Sequence, residues 1–400
     1  MPLVSEDGSP FDFKESGRQP SDLLKDGILP TIKGFYKDEK PEVEALIISH
    51  PHQDHYGFAG YVNLEIPVLI GEAACNILKA ASIFMPIGID FKNIVFLKDR
   101  QRITIGPFEI TPFLADHSAY DAYSLLVSAD GKTLFYSGDF RGHGRKAALF
   151  HKLIRQPPKD VDVLLLEGSV IGRTNGDKGF QTEEELVQDY INHINSTSGL
   201  CLIWSSGQNI DRIVTIFKAA RKACRQLIID LYTAEILRAT GNDKIPQGDW
   251  EGVRVFIPYF QRVKIKREEK FELLEPYKSK RIFPENLAKE ASQSVMLFRP
   301  SMCNDLEDAG CLQESSLIYS LWDGYLKQDR QIPFREWLDR NNIPLKKIHT
   351  SGHASVSDLQ KLAKAIIPKH LIPIHTFERD MYESLFENVH LIDDGEVFEV

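Results

Sequence analysis

Ser49-His50-Pro51-His52-Gln53-Asp54-His55-Tyr56-Gly57 sets three histidines and an aspartate within six positions, directly after the apolar run Val43–Ser49. That run reads as a buried strand. On an extended chain residues i and i+2 point the same way, so His50 and His52 can converge on one metal ion. The chain then turns into a helix, whose first turns are expected at Gly57–Val62, and the turn aims Asp54 and His55 at a second position. Imidazole nitrogen and carboxylate oxygen together suit zinc. A single histidine here would pass as part of a polar loop, whereas this group has the spacing of a metal site.

Further groups of the same chemistry occur downstream. Ala115-Asp116-His117-Ser118 follows the strand-like Phe108–Leu114, and Ser137-Gly138-Asp139-Phe140 follows Thr133–Ser137. His117 can complete the first metal position and Asp139 can bridge two ions. Near the C-terminal end stand Ser351-Gly352-His353-Ala354-Ser355 and Pro373-Ile374-His375-Thr376. Ser351, Ser355 and exposed amides offer donors to phosphate oxygens, and His353 offers a proton.

The elements that must position these residues alternate between strand-like and helix-like segments, the pattern of an α/β protein. Ile66–Ile70 is expected as a strand, followed by a helix over 72–84. Tyr123–Val127 adds a strand, and Val161–Leu166 is apolar throughout, as suits a strand covered on both faces. A second block begins near Phe180. Thr182, followed by Glu183, Glu184 and Glu185, is a capped helix start. Gly199–Ser205, Ile210–Ala223 and Leu227–Asp230 then read as strand, helix and strand of a doubly wound sheet. Ser294–Phe298 and Ser316–Ser320 are expected strands. The helix Val356–Ile367 and the strand His370–Ile374 come next, and strands at Val389–Ile392 and Val397–Val400 close the chain. The charged and aromatic stretch 254–289 has no clear period.

At the level of the whole chain, 400 residues suffice for two or three domains. Lys plus Arg number 48 against 57 Asp plus Glu, a net charge of −9, which argues against coating nucleic acid through bulk charge. Local basic faces remain open at Lys218, Arg221, Lys222 and Arg225, at Arg262, Lys264, Lys266 and Arg267, and at Arg141 and Arg145. Each could equally be a solvated surface. Tyr259 and Phe260 suit stacking on a single strand or packing in a core. The five cysteines are scattered with no C-x-x-C pair, as expected of free thiols in a reducing cytoplasm. No apolar run reaches the ~18–20 residues of a membrane span, and the first ten residues lack the features of a secretory signal.

The set His50-x-His52-x-Asp54-His55, His117 and Asp139 resembles the metal signature of the metallo-β-lactamase superfamily. Glu167, the segment around His353, and His375 resemble three further motifs of its β-CASP branch, with ribonuclease J the nearest member by these motifs. The resemblance implies a metallo-β-lactamase αββα sandwich with an inserted β-CASP α/β domain: 1–179 and 336–400 as the two parts of the first, 180–335 as the second. It implies two zinc ions, with manganese an alternative. His50, His52 and His117 would hold one ion, Asp54, His55 and His375 the other, and Asp139 would bridge. Glu167 would orient His353, and Asp54, Glu167 and His353 would be the catalytic group. Ser351 and His353 would meet the scissile phosphate, with Ser206, Asn209 and Arg212 against the RNA backbone. The implied activity is zinc-dependent hydrolysis of RNA, expected to be single-stranded, by a dizinc-bound hydroxide, in a cytoplasmic protein and a homodimer by analogy. Action on DNA or another phosphodiester, and an interaction subunit without turnover, stay open. Two departures stand out. Family members open with two strands and an Asp-x-Gly motif, and Met1-Pro2-Leu3 reads like the residues just after that motif, so these strands are expected to be missing. Thr376-Phe377-Glu378 also replaces the Gly-Glu usual after His375.

Overall fold

The computed structural model describes residues 18–85, 89–173 and 179–400. Met1-Pro2-Leu3, and with it the expectation of missing strands, lies outside them. Among the described residues no strand precedes Leu46. Contacts divide the chain into two units. The first takes the described residues of Met1–Gly142, Lys146–Gly179 and His353–Val400, and the second takes His143–Arg145 and Phe180–Gly352.

The first unit is a four-layer α/β/β/α sandwich. Leu46–Ile48, Val68–Gly71 and Ile94–Leu97 form a parallel three-stranded sheet. The helix Glu72–Ser82 covers its outer face, with Ala74, Cys75 and Leu78 packed on Ile48, Val68 and Ile70. The inner face meets a six-stranded sheet through Leu69, Leu97, Ile110, Tyr123 and Leu125. The helices Ala147–Arg155 and Val356–Ile366 close the far side, burying Phe150, Leu153, Leu359, Leu362 and Ile366 on Phe135, Leu164 and Leu166. Ser355 caps the second of these helices, its Oγ accepting from Asp358 N at 3.1 Å.

Strand direction in the six-stranded sheet decides where the motifs fall. Phe108–Ala115 and Lys132–Tyr136 are each antiparallel to Ala122–Ala129 between them, so they run the same way. Val163–Glu167 is parallel to Lys132–Tyr136, and His370–Ile374 is parallel to Val163–Glu167. These four strands therefore end along one edge of the sheet, just before or at His117, Asp139, Glu167 and His375.

The second unit is a parallel seven-stranded sheet. In spatial order its strands are Arg281–Ile282, Val253–Phe256, Gln226–Asp230, Ser294–Phe298, Cys201–Trp204, Ser316–Tyr319 and Leu345–Lys347. The four central strands are buried almost throughout, which accounts for their unbroken apolar runs. The stretch without a clear period resolves into the strand Val253–Phe256, the helix Tyr259–Arg267, a 3-10 segment Phe271–Lys280 and the helix Pro284–Glu290.

Several expectations shift. The helix after the histidine loop begins earlier, at Gln53–Tyr56, followed by a 3-10 turn at Ala59–Tyr61. Residues 336–352 cluster with the second unit, because Leu345–Lys347 pairs with Ser316–Tyr319 at the sheet edge. The C-terminal strands do not form, and a single bridge between Leu371 and Val389 stands in their place. Among the described residues no helix is long and apolar enough to cross a membrane.

Candidate metal centre

His50 follows the strand Leu46–Ile48, and His52 stands at the extended N-terminal position of the helix Gln53–Tyr56, with φ −85° and ψ 146°. Asp54 and His55 lie on that helix. His117 follows Phe108–Ala115, and Nε2 of His117 lies 3.1 Å from Nδ1 of His52. Asp139 enters through Gly138, whose φ is +55° and whose added Cβ would sit 2.7 Å from the carbonyl oxygen of Tyr123. Only glycine fits that turn.

Asp139 is the hub. Its Oδ2 lies 3.2 Å from His55 Nε2, 3.6 Å from His50 Nε2 and 3.9 Å from His117 Nε2, and its Oδ1 lies 2.9 Å from His375 Nδ1. His375 Nε2 lies 3.3 Å from Asp54 Oδ2. Potential ligand atoms gather into three overlapping groups: His50, His52 and His117; Asp54, His55, Asp139 and His375; and Asp139, Glu167, His353 and His375.

Metal fits this arrangement on its own chemistry. His50 Nε2, His55 Nε2, His117 Nδ1 and Asp139 Oδ2 are buried and make no well-aligned hydrogen bond, although His55 Nε2 and Asp139 Oδ2 lie 3.2 Å apart. Buried polar atoms are rarely left so. Burial, helped by neighbouring imidazoles, pushes His50 and His117 well below the usual histidine range, and burial pushes His52 down to about 4. They are neutral donors at neutral pH. Burial alone would raise Asp139, but His55, His353 and His375 hold it well below the usual carboxylate range. For Asp54, burial is likewise outweighed by the hydrogen bond to His375 and the charge of His55. Three neutral imidazoles beside ionised carboxylates suit a cation. Burial opposes a charge on His375, but hydrogen bonds to Asp139 and Asp54 push it up to about 11, so it would have to lose its proton to join them.

Glu167 ends the strand Val163–Glu167 and is buried. Its Oε1 accepts from Phe140 N at 2.8 Å, and its Oε2 lies 2.9 Å from His353 Nδ1. Burial opposes a charge on His353, but Glu167 and Asp139 outweigh it and raise its pKa. The histidine just before the helix Val356–Ile366 is thus fixed by Glu167 beside the ligand cluster.

Three positioning contacts escape a sequence reading. Arg141 and Asp116 are both fully buried; Nε of Arg141 lies 3.4 Å from Asp116 Oδ1, and its backbone N donates to Asp116 O at 2.6 Å. This ties together the loops that carry His117 and Asp139, and it removes Arg141 from any basic face. Ser169 Oγ lies 3.2 Å from His375 Nδ1 and donates to His375 O at 3.3 Å, holding a residue whose φ is +50°. Ser49 Oγ lies 3.2 Å from His50 Nδ1. Adjacency to His50, His117, Asp139 and Glu167 was the available signal, and it does not say what each residue touches.

In the second unit, Arg212 is not a surface contact. It is fully buried, its Nε and Nη2 reaching both oxygens of Glu183 at 3.0–3.3 Å, and it also donates to Ser320 and to Thr350 O. Asn209 caps the helix Ile210–Lys222 by accepting from Arg212 N at 3.0 Å. Ser206 Oγ accepts from Gln208 N at 3.2 Å, a local turn. The carbonyl of Ser351 lies 2.9 Å from His143 Nε2. Arg145 binds Glu184, Asp211 and Thr215, and Arg225 is spent on the carbonyls of Thr197, Gly199 and Ser294. Neither side chain is available to a basic face, whereas Arg221 and Lys222 are exposed.

Residues 28–188 match the beta-lactamase superfamily domain, and residues 342–385 match the Zn-dependent metallo-hydrolase RNA specificity domain. With the αββα sandwich interrupted by a second α/β region, the chain is similar to the β-CASP branch of the metallo-β-lactamase superfamily. Within that branch it resembles ribonuclease J. It is 26% identical to ribonuclease J of Mycoplasma pneumoniae over 375 residues, 88% of this chain and 61% of that protein. It is 27% identical to ribonuclease J of Mycoplasma genitalium over 374 residues, with the same coverage. The enzyme of that name from Sinorhizobium meliloti is 22% identical over 368 residues. The chain thus spans about 61% of the length of the two Mycoplasma relatives. A crystal structure of a protein of unknown function from Enterococcus faecalis shares the fold, with a TM-score of 0.74 at 21% identity over 96% of this chain and 91% of that one.

Proposed function

We propose that the chain is a zinc-dependent phosphodiester hydrolase acting on single-stranded RNA. The observation that carries the reading is Asp139, shared between a histidine-rich ligand group and the Glu167–His353 pair. His50, His52 and His117 would hold one zinc, Asp54, His55 and His375 a second, and Asp139 would bridge. Manganese is the alternative metal. Bound metal would supply Lewis acidity and water activation at neutral pH.

The chain's own residues supply proton handling and placement. Glu167, fixed by Phe140 N, engages Nδ1 of His353, so Nε2 is the nitrogen through which a proton would pass to the departing oxygen. The raised pKa of His353 suits a donor. Ser169 keeps His375 in its left-handed backbone conformation beside Asp54 and Asp139. The first unit would be the metallo-β-lactamase domain and the second the β-CASP domain. Similarity to ribonucleases J supports RNA as substrate.

The test is cleavage of 5′-labelled single-stranded RNA and DNA by zinc- or manganese-loaded protein. RNA is cleaved, and His353→Ala lowers turnover by about 10²–10⁴-fold while bound zinc stays at the wild-type level. DNA-only cleavage, or binding without cleavage, would overturn the assignment. Equal loss of zinc and activity in His353→Ala would make His353 a ligand instead.

A further inference from the structure

The helix Tyr259–Arg267 of the second unit carries a surface that the metal centre does not use. Tyr259, Arg262, Val263 and Lys266 follow the i, i+3, i+4, i+7 spacing, so they share one face. All four are exposed, Tyr259 to 65%, and Phe260 beside them is 39% exposed. The opposite face is anchored. Gln261 and Ile265 are buried, Gln261 Nε2 donates to Asp230 Oδ2 at 2.8 Å, and Tyr259 N donates to Asp305 Oδ1 at 3.0 Å. The aromatic rings therefore stand on a fixed element and do not pack in the core.

Charge on this stretch runs against the rest of the chain. From Tyr259 to Phe283 there are eight Lys or Arg against four Glu, in a protein whose net charge is −9. Arg262 pairs with Asp305 at 3.2 Å, and Lys264, Arg267 and Lys270 share Glu268. Lys266 has no ion pair among the described residues. Two more exposed aromatics lie downstream, Phe271 and Phe283, at 53% and 47%. The Arg281 guanidinium lies 4.7 Å from the Phe283 ring centre. A core does not expose four aromatic rings within 25 residues, and a plain solvated face does not carry them. Bases stack on such rings whatever their sequence, and lysines and arginines beside them meet the backbone phosphates.

We propose that the exposed face of the helix Tyr259–Arg267 is a docking platform for single-stranded nucleic acid, outside the residues 342–385 that match the RNA specificity domain. Tyr259 and Phe260 are the stacking surfaces, and Lys266 and the exposed Arg267 meet phosphates. The platform does not depend on the hydrolase assignment, because it binds and does not cut.

The experiment is a fluorescence-anisotropy titration of the full chain with a labelled, phosphorothioate-linked twenty-nucleotide oligothymidylate, which resists cleavage. Tyr259→Ala/Phe260→Ala weakens binding by about 5- to 150-fold for each stacked base lost, with unchanged salt dependence. Lys266→Glu/Arg267→Glu weakens it too, and it reduces the slope of log affinity against log salt by about 0.7 for each phosphate contact removed. Circular dichroism melts check that both variants fold; exposed positions predict that they do. Wild-type affinity in both folded variants overturns the proposal. So does loss of binding to vesicles containing phosphatidylserine with oligonucleotide affinity unchanged, because the face would then serve an anionic membrane.

Discussion

Arg212 shows how one residue's surroundings decide its role. In the sequence it stands in a polar stretch, WSSGQNIDR, and reads as a contact for a phosphate backbone. In the structure both it and Glu183 are wholly buried, with the carboxylate engaged by two guanidinium nitrogens. Removing one partner strands a charge in the interior, at a cost of about 3–5 kcal/mol. Arg212→Ala is therefore expected to lower the urea midpoint of the second unit sharply. Arg212→Met/Glu183→Gln, which removes both charges, costs less than the single change. A surface role predicts the reverse: little loss of stability and a shallower salt dependence of RNA binding. The histidine loop was easier to read, because its alternation is local and its chemistry has few other uses. The partners of Arg212, 29 to 138 residues away, leave no trace in its neighbourhood.

Elements were legible where burial imposes one pattern. Val163–Glu167 and the central strands of the second unit are apolar because both faces are covered, and their bounds lie within two or three residues of those read from sequence. Ile94–Leu97 and Ala147–Arg155 carry weaker signals; the strand is only partly buried, and the helix has no side-chain cap. The strand His370–Ile374, which ends at His375, is secured at its start by Asp162. Oδ1 of Asp162 accepts from Lys369 Nζ at 2.7 Å, and Oδ2 accepts from Thr133 N at 2.8 Å. The hydrogen bond from Lys369, then that from Thr133, brings the Asp162 carboxyl down to about 2. An unfolded aspartate titrates near ~3.9. The folded state thus prefers the ionised form, so this contribution is present above about pH 4 and is lost as pH falls through about 2. Asp162→Asn should be less stable than wild type at pH 6 and should show a flatter loss of stability between pH 4 and 2. Parallel curves in thermal melts across that range would remove Asp162 from the acid response of the strand.

At the scale of the molecule, the metal cluster links parts of the chain that local sequence cannot relate. Its candidate ligands arise at 50–55, 117, 139 and 375, and all of them belong to the first unit. Two such stretches, on either side of the second unit, could be assigned to one site only through the family pattern. The place where the chain returns to the first unit was misjudged because Leu345–Lys347, a short and partly exposed edge strand, has almost no apolar signature. The division has a thermodynamic consequence. Ligands that do not converge in the unfolded chain bind metal only when the first unit is folded, so metal stabilises that unit by mass action. At free zinc 100-fold above Kd this is about 2.7 kcal/mol, or roughly 5–10 °C for a unit of this size. The second unit has its own core, built from Leu202, Ile228, Met296, Phe298 and Leu317, and contributes no residue to the ligand groups. Calorimetry is therefore expected to resolve two transitions. Chelation should lower one of them, zinc should restore it, and the other should not move. His117→Ala, which removes a ligand from one of the two proposed zinc positions, should reduce the zinc-dependent part of the shift while leaving the second transition where it was. If chelation moved neither transition, the buried nitrogens of His50, His55 and His117, which make no well-aligned hydrogen bond, would need another explanation than a metal ion.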